Sequence, residues 1–269
     1  MTSTSTKPTV PAVARAARAL EVVSASPDGM TLSEIARAIP APKSSCRAVI
    51  ATLVESGLLA RATTGTYRLG WKVVELGRAY LARSDLTTEF RRVDAELDLL
   101  GEDTIVLSLL DGRAVLYVHM RPGSRPVAVH YEIGTRLPAH CTAGGKALLA
   151  ALPPARTANL YADGRFDVLT RHSIASLDEL SRELERVGKR RYAIDDEETA
   201  LGMVCFGAAI LGPAGPVGAL SVGMVKAAVD PDRAHVAAES LLRLAHALTA
   251  RLGGPVQGFV PVEAPMFAR

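Results

Sequence analysis

The sequence predicts an α+β protein: a winged helix-turn-helix first, then a second domain with a largely antiparallel sheet. Three observations carry this expectation. Residues 31–55 hold two short amphipathic helices separated by a proline-marked turn, with a hairpin pattern directly after them. Beyond residue 103 the rhythm changes to strand-like runs joined by tight turns as well as by helices, which favours an antiparallel α+β arrangement. A chain of 269 residues is also long enough to bury two separate cores.

Residues 1–10 are rich in Thr, Ser and Pro and read as a disordered tail. Val13, Ala16, Ala17 and Leu20 mark an apolar stripe on a first helix, which Pro27-Asp28-Gly29 ends with a turn signal. Thr31 and Glu34 form a capping box, in which each side chain satisfies an amide orphaned at a helix start. Leu32, Ile35, Ala36 and Ile39 follow at i, i+3, i+4 and i+7, giving one apolar face. Pro40 and Pro42 stop that helix, because the residue before a proline is pushed out of the helical region.

A second helix is expected to start at Ser44 or Ser45, both good N-caps. Cys46, Val49, Ile50 and Leu53 are its apolar face. Ser44, Ala48, Ala51 and Glu55 fall opposite, with Arg47 on the shoulder. Strand-like runs at 58–61 and 67–69, joined by Thr63-Thr64-Gly65-Thr66, supply the wing. In such a unit the second helix enters the DNA major groove. A small helical bundle without a ligand is the alternative reading of the same pattern.

Residues 71–83 and 87–100 read as helices, the first a linker and the second the opening of the next domain. Runs at 103–110 and 114–121 flank Asp111-Gly112, a strong hairpin signal. Residues 125–133 read as a third strand, and 137–145 (LPAHCTAGG) as a small-residue loop leading into a helix at about Lys146. Ser176 and Glu179 make a further capping box, for a helix running to about Arg190. A short strand at 192–194 precedes the acidic run 195–198. Strands at 204–211 and 216–224 and a closing helix at 231–252 complete the chain. The domain boundaries follow: tail 1–10, winged helix-turn-helix 11–70, linker helix 71–84, second domain 85–253, and a C-terminal tail 254–269.

Charge and composition narrow the class. Residues 1–80 hold ten Lys/Arg against five Asp/Glu, whereas the rest of the chain carries a net −2. The positive excess therefore sits with the helix-turn-helix, as phosphate binding requires. No apolar run approaches a membrane span, and the N-terminus lacks a long apolar signal segment. Cys46, Cys141 and Cys205 are odd in number and widely spaced, which suggests neither a disulfide framework nor a zinc module and fits a reducing cytoplasm.

The residues also resemble a known family. RAL at 18–20, LSEIARA, PKSS…ATLVESGLL, YRLG at 67–70, GTRLPAHCTAGGKALLA at 134–150 and YAIDDEETALGMVC at 192–205 are similar to the IclR family of bacterial transcription regulators. The likeness runs from about Val13 to Leu252. It implies an N-terminal winged helix, a C-terminal GAF-like effector-binding domain, and dimers that often pair into tetramers on DNA. The chain departs from the family pattern at three places. Arg47-Ala48 stands where His or Tyr then Arg is usual, Val204 replaces an Arg, and Gly223 replaces the second of two pocket serines.

Candidate contacts follow. Lys43, Ser44, Ser45, Arg47 and Thr52 on the second helix, with Arg61 and Arg68 on the wing, are the candidate DNA contacts; a solvated face is the plain alternative. Ala143, Gly144 and Gly145 offer backbone amides at a helix start, a natural anion seat. The resemblance implies that Asp195 and Cys205 line the effector pocket. Ser221 stands on a strand that can face the same cavity, and Met203 adds an adaptable apolar wall. A ligand with one acidic and one apolar end, a small organic or aromatic acid, suits this set.

Competing readings use the same residue types. An enzyme would take Cys205 or Cys141 as nucleophile, a histidine as base and Asp195 as orienter. A metal sensor would draw on His130, His140, Cys141, Asp195 and Cys205, none of which pair at metal-ligand spacing. Residues 143–147 lack the first Gly and the Ser/Thr of a P-loop. A sensor whose basic unit only meets another protein is the remaining alternative. The expectation is a cytoplasmic, ligand-responsive, non-enzymatic regulator of operator DNA, without cofactor, metal or membrane partner. It is expected to act as a homodimer able to form a dimer of dimers.

Overall fold

The computed structural model describes residues 10–39, 42–82, 85–125 and 132–255. The chain divides into two compact units, 1–83 and 84–269.

In the first unit, helices α1 (Pro11–Ser24), α2 (Leu32–Ala38) and α3 (Lys43–Glu55) precede strands β1 (Leu59–Arg61) and β2 (Tyr67–Leu69) and helix α4 (Trp71–Ala82). Ala19, Val23, Ile35, Ile39, Cys46, Ile50, Leu53 and Leu59 form one buried cluster. Fully burying each of the larger aliphatic side chains stabilises such a unit by roughly 1.5–3 kcal/mol. The Thr31/Glu34 capping box is present in full: the Glu34 carboxylate accepts the Thr31 amide at 2.7 Å, and Thr31 Oγ1 accepts the Glu34 amide at 3.3 Å. Met30 adds an antiparallel bridge to Tyr67, a pairing the sequence pattern did not signal.

Two local expectations change. The buried face of α1 runs through Ala19 and Val23, with Ala16 and Leu20 partly covered beside it and Val13 and Ala17 exposed. A stripe of alanines and valines can be drawn on either side of this helix, and packing selects the one facing α3. Helix α3 starts at Lys43, one or two residues earlier than expected, with Pro42 in the extended N-cap position (φ −56°, ψ 144°). The ring of Pro42 fixes φ near the value a cap needs, so Ser44 and Ser45 lie inside the first turn and do not cap it.

In the second unit, α5 (Asp85–Leu97) leads into β3 (Ile105–Asp111), β4 (Ala114–Arg121) and β5 (Arg136–Pro138). Then come α6 (Ala143–Ala150), α7 (Pro154–Leu160), α8 (Leu177–Arg190), β6 (Ala193–Asp196), β7 (Met203–Gly212), β8 (Gly215–Val225) and α9 (Pro231–Arg251). Among the described residues, six strands form one sheet in the order β5-β4-β3-β8-β7-β6, and every pairing is antiparallel. Ile105, Val106 and Leu107 are all buried, so both faces of the central strands are covered. Helix α6 lies on the face of Gly207, and α9 packs along β7 and β8 on the other.

Several boundaries differ from the sequence reading. Helix α5 begins at Asp85 and β3 begins only at Ile105. Of the expected strand at 125–133, residues 126–131 lie outside the described residues. Edge strand β5 takes Leu137 and Pro138 out of the expected loop, with the proline at the rim where a missing amide costs no ladder bond. Helix α6 starts at Ala143 because the Thr142 side chain caps it, accepting the Gly145 amide at 3.1 Å. Helix α7, begun by Pro153-Pro154, was not foreseen. At α8, Ser176 accepts the Glu179 amide, but the Glu179 carboxylate takes the amide of Ala175 instead of that of Ser176. Asp195 and Asp196 belong to β6 and do not follow it.

Candidate functional site

Helix α3 presents Lys43, Ser44, Arg47, Ala48, Ala51, Thr52 and Glu55 to solvent, with Ser45 half-buried. Cys46, Ile50 and Leu53 hold the opposite side in the core, so packing alone orients the outward face. Among the described residues, neither Lys43 nor Arg47 forms an ion pair with a carboxylate, which leaves both cations available to phosphates. The Thr52 hydroxyl donates to the Ala48 carbonyl at 3.1 Å, so its donor is used within its own helix.

The wing separates its two arginines. Arg61 is register partner of Tyr67, and its guanidinium lies 5.9 Å from that ring's centre; Arg68 is opposite Ala60. Directly opposed residues share a face and successive residues alternate, so Arg61 and Arg68 point to opposite sides of the ribbon. Arg68 also donates to the Asp28 carbonyl at 3.3 Å.

In the second unit a cavity of about 140 Å³ lies between the sheet and the start of α6. It is lined by Ala143, Asp195, Met203, Cys205 and Ser221, together with Val106, Tyr117, Thr135, Leu137, Thr142, Thr199, Ala200 and Gly223. Five of the seven sequence-derived effector positions therefore meet in one place. The other two, Gly144 and Gly145, are packing positions. A Cβ on Gly144 would stand 2.6 Å from Ser221 Oγ, and one on Gly145 would stand 2.3 Å from the Ala139 carbonyl oxygen. A Cβ on Gly207 would likewise meet the Ala143 carbonyl carbon at 2.3 Å, so α6 touches the sheet backbone to backbone. With the Gly145 amide taken by Thr142, the amides of Ala143 and Gly144 remain as the α6 donors without a helical acceptor.

Asp195 is buried, and its carboxylate organises the turn that follows. Oδ1 accepts the amides of Glu198 at 2.8 Å and Thr199 at 3.2 Å, and Oδ2 accepts the Thr199 hydroxyl at 2.5 Å. Burial pushes its pKa up against these bonds. Behind the turn, the Lys146 ammonium is fully buried. It donates to the Ile194 carbonyl and the Glu198 carboxylate, with Glu183 at 3.9 Å. Burial raises Glu198 to about 7 despite the neighbouring ammonium. Thr170 and Ser173 hydroxyls fasten the Glu197 and Glu198 carbonyls from outside.

Of the residues of the enzyme reading, Asp195 and Cys205 line the cavity together, but no described histidine joins them there. Cys141 and His140 both turn to the Asp167 carbonyl, outside the lining of the cavity. Burial pushes the Cys141 thiol up to about 12, where it stays protonated and a poor nucleophile at neutral pH. Among the described residues no group of three or more His, Cys, Asp or Glu is placed to hold a metal ion; His130 lies outside them.

Sequence reasoning missed Tyr117, Thr142 and Thr199. Thr142 carried a usable signal, a threonine directly before a helix start. Tyr117 faces inward by strand alternation with Val115, and burial raises its hydroxyl pKa. Thr199 had no local signal; only the turn made by Asp195 brings it to the wall.

The two units match known sequences and folds. Residues 12–62 match the IclR helix-turn-helix domain, and residues 78–250 match the bacterial transcriptional regulator IclR C-terminal domain. The chain is 35% identical over 212 residues to the HTH-type transcriptional regulator Rv1719 of Mycobacterium tuberculosis, covering 78% of this chain and 80% of that protein. It resembles the crystal structure of the Agobacterium tumefaciens repressor BlcR with a TM-score of 0.58 and 33% identity, over 93% of this chain and 100% of the other. An IclR homologue from Microbacterium hydrocarbonoxydans, crystallised with 4-hydroxybenzoate, shares the fold at a TM-score of 0.72 and 21% identity, over 89% and 99% of the chains.

Proposed function

The chain belongs to the IclR family of bacterial transcriptional regulators, with a helix-turn-helix DNA-binding unit and a C-terminal effector unit, and from this we propose how it works. Residues 11–70 read operator DNA, 71–84 connect, and 85–253 bind the effector. On α3, Lys43, Ser44, Ser45 and Arg47 approach the major groove, Thr52 through its methyl group. Arg61 and Arg68 flank it as phosphate contacts from opposite sides of the wing.

The effector is a small organic or aromatic acid bound in the 140 Å³ cavity. The observation that carries this reading is the meeting of Ala143, Asp195, Met203, Cys205 and Ser221 from four separate elements around one space. The carboxylate faces the free α6 amides and Ser221, where partial positive charge favours an anion. Asp195 faces the neutral end, since two buried carboxylates side by side repel. The homologue crystallised with 4-hydroxybenzoate supports an aromatic acid. Ligand changes operator affinity only by the difference in its affinity for the two arrangements of the protein.

The protein acts as a regulator without catalysis, in the cytoplasm. It works as a homodimer that can pair into a dimer of dimers, because one winged helix alone offers too little surface for tight binding. Val13, Trp71, Val74 and Leu76 are exposed apolar residues on α1 and α4 that suit such an interface. Calorimetry of the full chain with benzoate and 4-hydroxybenzoate, alongside Ser221→Ala, tests the effector site. Binding weakened by the variant is the expected result; equal binding places the effector elsewhere.

A further inference from the structure

The outward side of α3 carries more than charge. At about 100° per residue, Ser44, Ala48, Ala51 and Glu55 form a ridge opposite the buried Cys46, Ile50 and Leu53, and all four are exposed. Lys43 and Arg47 stand on one flank of that ridge and Thr52 on the other. The Thr52 hydroxyl donates to the Ala48 carbonyl at 3.1 Å, so its donor is used inside the helix. The middle of the ridge is therefore two bare methyl groups, with no side-chain donor or acceptor between Ser44 and Glu55.

Methyl groups at that place discriminate between bases. In the major groove guanine, adenine and cytosine present polar edges, and thymine alone adds an apolar group, its C5-methyl. A methyl pressed on a polar edge displaces water and returns no hydrogen bond, whereas against another methyl it buries apolar area. Ala48 and Ala51 are separated by about 4.5 Å of helix rise, and base pairs by about 3.4 Å, so the two reach successive base pairs when α3 lies along the groove. The flanking Lys43 and Arg47 then face the phosphates that border the groove. Glu55, exposed near the C-terminal end, is repelled by those phosphates and favours entry by the N-terminal half, the half that reads bases in helix-turn-helix units.

We propose that Ala48 and Ala51 read the C5-methyl groups of two thymines on successive base pairs, so that each operator half-site carries an adjacent pair of A·T base pairs at the centre of the α3 contact. This rests on α3 being the helix that enters the major groove. Lys43 and Arg47 supply affinity for any duplex, and the two alanines supply part of the choice among sequences.

The experiment starts with the full chain selecting its preferred duplex from a random library. Each thymine of the selected site is then replaced by deoxyuridine, which removes only the C5-methyl. One buried methyl is worth about fourfold in affinity, so two successive positions in each half-site are expected to lose about fourfold apiece. Ala48→Gly should abolish the loss at one of the two positions and Ala51→Gly at the other. Ala48→Gln serves if the glycine variants do not fold. A glutamine pairs with adenine, so selection by that variant should return adenine where the wild type chose thymine. Uracil tolerated at every thymine, or a loss that persists in both glycine variants, overturns the methyl readout; a base preference still moved by Ala48→Gln then leaves α3 as the reading helix. A selected site that responds to none of the three variants overturns both.

Discussion

Asp195 Oδ1 accepts the backbone amide of Glu198 at 2.8 Å, so a residue that lines the 140 Å³ cavity also fixes the turn behind it. Asp195→Ala removes the acceptor for two amides and a hydroxyl in a buried setting. A cost of about 1.5–3 kcal/mol is expected, visible as a lower unfolding midpoint in urea. Asp195→Asn keeps one oxygen for the amides and should retain most of that stability. If Asp195→Ala unfolds at the wild-type midpoint, the turn does not depend on this residue.

The same turn carries a pH effect through Glu198. A carboxyl raised from 4.5 to about 7 is penalised once ionised, so its cost is absent below about 4.5 and complete above about 7. Relative to Glu198→Gln, the wild type should therefore lose about 3 kcal/mol of stability as pH rises through that window. Denaturant unfolding of both proteins at pH 5 and pH 8 gives the comparison, and a pH-independent difference would show that Glu198 titrates normally. Using the difference removes the opposite contributions of His119 and His140, whose pKa values burial lowers.

The approach of α6 to the sheet predicts an intolerant glycine. Gly207→Ala places a Cβ 2.3 Å from the Ala143 carbonyl carbon and 2.5 Å from the Gly144 amide nitrogen, both backbone atoms. We expect destabilisation of about 1–3 kcal/mol or more and a displaced α6, with acid binding abolished along with it. Thermal unfolding within a degree or so of wild type would contradict the backbone approach.

Lys43 and Arg47 are exposed on α3, among the described residues without carboxylate partners. Removing one cation from a phosphate should reduce the slope of log affinity against log salt by about 0.9, so the double alanine variant should flatten it by about 1.8. Fluorescence anisotropy with random duplex across a salt series reads this directly. An unchanged slope would move the phosphate contacts off this helix.

Trp71, Val74 and Leu76 leave apolar surface on α4 exposed to solvent, at 84%, 63% and 54%. The full chain is accordingly expected to run as a dimer or larger in light scattering at micromolar concentration. Trp71→Glu together with Leu76→Glu should shift it toward monomer. A wild-type monomer, with and without DNA, would end the dimer proposal.

The sequence by itself determined the elements whose signals are local. The Thr31/Glu34 box, the apolar spacing of Cys46, Val49, Ile50 and Leu53, and the Asp111-Gly112 turn each depend on residues a few positions apart, and each stands where periodicity and capping placed it. The GTRLPAHCTAGG and YAIDDEETALGMVC segments likewise identified the family before any geometry was known. Tertiary structure alone decided what depends on partners distant in the chain. Val13 and Ala17 versus Ala19 and Val23 is a choice of helix face that only packing makes. The opposite directions of Arg61 and Arg68 follow from strand register. Gly144 also serves the close approach of α6 to Ser221, and the Asp195 carboxylate also holds Glu198 and Thr199, roles that no local pattern announces. A side chain's local chemistry is written in its identity, but whether that chemistry is free for a ligand depends on which distant atoms the fold brings against it.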